Sequence, residues 1–201
     1  MSSQVVFERP ASRQETDCGL NVAVVYQDEP TRQWAREVCE RVGKLLGNEA
    51  VHSTWWKMSG LTEPAVLAGA VSVAMRADVV IIAIHASEGL PLPFYVWTEA
   101  WLPHRAGAGV ALVALITIPE RPSLQMDRAR EYLRTAARQG RFDFLLEERK
   151  LGAGKAGAES GGLRARPGPA ESAASSTKKL LSYASRRWRL NEERLRSEIA
   201  A

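Results

Sequence analysis

From residue 20 to residue 148 the apolar positions fall into two alternating rhythms. The first is a run with almost every position apolar: LNVAVVY at 20–26, VVIIAIH at 79–85 and VALVALITI at 110–118. Runs of that length are strands, and strands apolar on both sides belong in a parallel sheet covered by helices. The second rhythm repeats every three to four residues. Over 31–46 it places Trp34, Ala35, Val38, Cys39, Val42, Leu45 and Leu46 on one helical face, and Gly47 and Asn48 stop the helix. Further helices are predicted over 62–77, 93–105 and 123–139. Thr62, Glu63 and Pro64 make a good helix start. A less apolar strand over 51–56 suits a sheet edge, and RFDFLLE at 141–147 supplies a fifth strand. Short links and right-handed crossovers then favour a three-layer, doubly wound, five-stranded parallel sheet of order 2-1-3-4-5.

Composition divides the chain further. Residues 1–19 are polar and unpatterned, a loose leader ahead of an α/β domain at 20–148. Residues 149–176 are rich in Gly, Ala, Ser and Pro, the composition of a flexible linker. Residues 177–201 form a separate basic amphipathic helix, with Leu181, Ala184, Trp188, Leu195 and Ile199 in a broken apolar stripe. Seven bases and three acids between Lys178 and Ala201 give this segment a net charge of +4, equal to that of the whole chain. Basic character is therefore local. Lys178, Lys179, Arg186, Arg187 and Arg189 are its candidate contacts with an acidic partner, nucleic acid or an anionic surface. A solvated tail is the plainer reading.

No apolar run reaches the ~20 residues of a membrane helix, and residues 1–10 do not read as a secretory signal. Cys18 and Cys39 make no metal-ligand spacing and no disulfide framework, which fits a reducing cytoplasm. No metal site is expected. The three histidines, His52, His85 and His104, lack paired spacing.

In a sheet of this order ligands bind beyond the carboxyl ends of the strands, where the order reverses. That crevice is bordered by Gln27, Asp28 and Glu29 from one loop and His85, Ser87 and Glu88 from another. The first loop has no glycine, and two acids there repel phosphate, so neither a GxGxxG site nor a Walker loop is present. Asp28 and Glu29 also suit the first turn of a helix with no further role.

The strand order is that of flavodoxin-like folds, but the hydroxyl-rich first loop that flavodoxins use for flavin phosphate is missing. Two family resemblances follow. The element order resembles response-regulator receivers, which keep an acidic metal-binding pair where Asp28 and Glu29 stand. The receiver phosphoacceptor is absent, because Ala83, Ile84 and His85 occupy that strand end. The segment FYVWTEAW resembles the helix start of TIR domains and nucleoside deoxyribosyltransferases, with Tyr95 four residues ahead of Glu99. That resemblance implies Glu99 as a catalytic carboxylate cleaving an N-glycosidic bond, with NAD as substrate and Tyr95 or Trp97 stacking on the base.

Six tryptophans are present, including the pairs Trp55/Trp56 and Trp97/Trp101. They serve either as core or as an exposed aromatic interface. The expectation is a non-enzymatic cytoplasmic signalling or protein-interaction module without a cofactor, self-associating or bound to a partner protein. The alternative is an NAD glycohydrolase using Glu99.

Overall fold

The computed structural model describes residues 19–47, 50–105, 109–119 and 124–150, together with 178–179, 182–187, 189–190, 193 and 197. The expected leader lies outside these residues except for Gly19, and the expected linker except for Arg149 and Lys150.

The elements are β1 (Leu20–Tyr26), α1 (Glu29–Leu46), β2 (Val51–Lys57), α2 (Pro64–Ala74), β3 (Val79–His85), α3 (Leu92–Trp101), β4 (Ala111–Ile118), α4 (Leu124–Gly140) and β5 (Asp143–Lys150). All four strand pairings are parallel, in the order β2-β1-β3-β4-β5. The predicted topology is the observed one.

Period two along each central strand feeds two separate cores. Ala23, Val25, Val80, Ile82, Ile84, Leu112, Ala114 and Ile116 point to α2, α3 and α4. Val22, Val24, Val79, Ile81, Ala83, Val113 and Leu115 point to α1. Tyr183 and Ala184, from the C-terminal helical residues, join that second core at 5% and 1% exposure.

Local chemistry sets the helix ends. Asp28 caps α1: its side chain accepts from the Thr31 N–H, while the Thr31 hydroxyl accepts from the Asp28 N–H. Gly47, at φ 99°, ends α1 in a conformation that side chains rarely adopt. The helix predicted over 62–77 is shorter: a 3-10 turn at Met58–Thr62 precedes α2. The helix predicted to 105 ends at Trp101, and Leu102–His104 tighten into a 3-10 turn around Pro103, which has no N–H to continue the ladder. β5 starts two residues later than predicted and ends three later. Arg141 holds a positive φ of 55° as the chain leaves α4, so the strand cannot begin until Asp143.

Candidate functional site

The carboxyl ends of β1 and β3 lie side by side, and the loops leaving them face one another. Gln27 follows β1 and clamps the neighbouring strand. Its N–H donates to Ala83 O at 3.1 Å, and its side-chain oxygen accepts the His85 N–H at 2.8 Å. The Gln27 amide nitrogen donates to Glu88 in the opposite loop. His85 Nε2 lies 2.7 Å from Asp28 Oδ2. A carboxylate only accepts, so Nε2 carries the proton. The second Asp28 oxygen accepts from the Thr31 N–H at 3.1 Å and from its hydroxyl at 2.8 Å. Burial pushes the Asp28 carboxyl up, but bonds from Thr31 and His85 outweigh it and hold the carboxyl below the usual aspartate value.

Sequence reasoning therefore located four residues that do meet: Gln27, Asp28, His85 and Glu88. It missed Thr31, whose spacing of three from Asp28 was the available signal. Glu29 turns away and pairs with Arg32 at 3.2 Å, and Ser87 is exposed. Among the described residues no three His, Cys, Asp or Glu side chains gather as a metal site.

The aromatic candidates part company with the crevice. Trp97 is 0% exposed and packs tilted between Phe94 and Trp101, with ring centroids at 5.5 Å and 5.4 Å. It therefore cannot stack on a ligand. The helical face that carries Trp97 and Trp101 is the one α3 turns to the sheet, so this pair is core and not an exposed interface. Trp55 and Trp56 are half-buried on opposite faces of β2. Tyr95 meets Tyr132 of α4 edge-on at 4.6 Å. Glu99 is exposed in the last half of α3. Its charge reaches Tyr132: burial pushes that phenol up, a Thr98 bond opposes the shift, and Glu99 and Tyr95 add to it.

In the C-terminal segment, Lys178, Lys179, Arg186 and Arg189 are exposed. Arg187 is not a free base: its Nε donates to Asp78 Oδ1 at 2.9 Å, and Asp78 is 6% exposed. The Tyr183 hydroxyl donates to Gly109 O at 2.6 Å and lies 3.1 Å from Asp78 O. Asp78 also accepts the Asn21 N–H at 3.0 Å. Nearby, Arg105 donates to the carbonyls of Ala74 and Ala77, and burial lowers its pKa.

No protein-family profile matches the chain, and no curated protein matches it. Solved structures do. A short-chain flavodoxin associated with a non-canonical PDU bacterial microcompartment superposes with TM-score 0.51 at 14% identity, covering 83% of this chain and 97% of its own. An oxidoreductase from Corynebacterium diphtheriae gives 0.51 at 15% identity, covering 87% and 98%. The fold is flavodoxin-like. A flavodiiron core from Synechocystis matches at 0.51 and 13% identity over 87% of this chain but 36% of its own. The likenesses to TIR and receiver domains rest only on the residues quoted above.

These matches correct the expectation of a chain without a cofactor, because flavodoxins make a flavin the cofactor class at issue for this fold. The residues present do not fit a flavin phosphate seated at the start of α1. The Asp28 carboxylate already accepts the Thr31 N–H there, Pro30 offers no N–H, and Glu29 adds negative charge.

Proposed function

We propose that this flavodoxin-like chain is a cytoplasmic protein-interaction module whose contact surface is the carboxyl end of its sheet. One observation carries the reading: the chemically capable groups of the crevice are bonded to each other, Gln27 to Glu88 and Asp28 to His85. Groups already satisfied in this way hold two loops in place and are not poised for a substrate. The rim supports a contact role. Five large apolar side chains are exposed among the described residues, and three of them border this end: Leu92 and Val96 one turn apart on α3, and Leu124 at the start of α4. Such residues suit the centre of a protein contact.

Among the described residues no helix is long and apolar enough to cross a membrane. The glycohydrolase alternative finds less support, since Glu99 is exposed beside Tyr132 and is not among the bonded crevice groups.

Two measurements test the proposal. Incubated with NAD, the chain should release no nicotinamide; release that Glu99→Ala abolishes would overturn the reading. Partner proteins retained from an extract of its own cells should be lost with Leu92→Glu while circular dichroism is unchanged. Retention that survives this change removes the rim as the contact surface.

A further inference from the structure

A different surface carries a more specific reading. Between α1 and β2 runs a groove of about 300 Å³. Its helix wall presents Arg32, Arg36 and Glu40, four residues apart and so on one face. Its strand wall presents Val51, Ser53 and Trp55, alternate residues on the face of β2 that looks toward α1. The Trp55 indole N–H is held by Ser53 Oγ at 2.9 Å, which fixes the ring along the wall.

Beside the groove lies an open sheet edge. β2 ends the strand order, and among the described residues no strand pairs with its outer side. An edge strand presents a row of unpaired N–H and C=O groups, and proteins usually guard it with charge. The opposite edge is guarded: β5 carries Glu148, Arg149 and Lys150, with Glu148 bonded to Arg130. In β2, by contrast, VHSTWW precedes a single Lys57. The cations beside it differ in what they already hold. Arg36 makes no hydrogen bond or ion pair among the described residues, whereas Arg32 is shared with Glu29 at 3.2 Å and keeps only its buried Nε without a partner, so an incoming acid there competes with Glu29.

The spacing agrees with an extended guest. Arg32, Arg36 and Glu40 rise by about 6 Å per step along α1. Alternate side chains of a strand repeat at about 6.6 Å. A strand added to β2 would therefore bring every second side chain opposite the next charged residue on the helix.

We propose that this groove binds an extended segment of a partner protein, which adds to the β2 edge as a strand and carries acid, acid and base on alternate residues. The two acids meet Arg32 and Arg36, the base meets Glu40, and backbone bonds to β2 supply the rest. This site is separate from the α3–α4 rim, so its failure leaves the contact role of the rim standing, and the reverse also holds.

The probes are two labelled peptides with blocked ends, Glu-Val-Glu-Val-Lys and its reverse, which cover both strand directions. Fluorescence anisotropy with the full chain should show that one binds. Arg36→Glu should weaken it by about tenfold or more, and a peptide with lysine in place of the facing glutamate should recover the loss. N-methylation of the amides that face β2 should abolish binding; both alternate sets are tested. Binding by neither peptide, binding indifferent to Arg36→Glu, or binding that survives methylation of each set in turn overturns the proposal. If Arg36→Glu does not fold, the wild-type chain decides by NMR. Peptide-induced shifts in the amides of Val51–Lys57 support the site, and their absence overturns it.

Discussion

Asp28 uses both carboxylate oxygens, one to cap α1 and one to hold His85. Its two tasks separate by substitution. Asp28→Ala loses both and should cost about 1 kcal/mol in urea unfolding near neutral pH. Asp28→Asn keeps a capping oxygen and should cost less. The folded carboxyl titrates below its unfolded value, so its stabilising effect is complete above an unfolded pKa of about 3.9 and fades as pH falls through the folded value. Wild type and Asp28→Asn should therefore converge in stability across that acid window. His85 at a strand end and Asp28 in a helix's first turn were both legible as neighbours, because topology alone brings those loops together. Trp97 was not: an aromatic on an apolar helix reads equally as core or as platform, and only the rotation of α3 against the sheet decides it.

Among the elements, the C-terminal helical residues depart most from what their composition suggests. Seven bases in 24 residues read as a solvated or surface-seeking tail. Yet Tyr183 and Ala184 are buried beside β3 and β4, and Arg187 reaches Asp78. The sparse apolar stripe hid this: among the described residues its buried members are Tyr183 and Ala184, and one of the arginines serves an acid 109 positions earlier. Tyr183→Ala should lower stability by about 3 kcal/mol, the range for losing a buried ring. Tyr183→Phe should cost about 1 kcal/mol, since only the bonds to Gly109 and Asp78 go. Chemical unfolding of both variants checks the difference. β3 and β4, by contrast, announced themselves, because strands buried on both faces leave no room for polar residues.

Across the whole molecule, the two cores meet only through the strands, so the protection of one side chain reports on the integrity of the sandwich. Cys39 is such a reporter. Burial, with the charge of Glu40 adding to it, pushes its thiol up to about 12. A thiol held that high offers roughly a thousandfold less thiolate than an unfolded cysteine. In a Cys18→Ser chain, iodoacetamide should therefore modify Cys39 slowly in mildly alkaline buffer and rapidly once urea opens the domain. Mass spectrometry follows the adduct. Fast modification of the folded chain would mean that reagent reaches the thiol through the groove it lines between α1 and β2, or that α1 lifts from the sheet.

The partners of Tyr183 and Arg187 named above, Gly109 and Asp78, lie upstream of β5. Under the linker reading of their composition, residues 151–177 would act on that docking through an effective concentration, a quantity that changes only slowly with length. That reading makes the interval an insertion point. New chain ends, or an entire foreign domain, could be spliced between 150 and 178 while the sheet keeps its last helical neighbour.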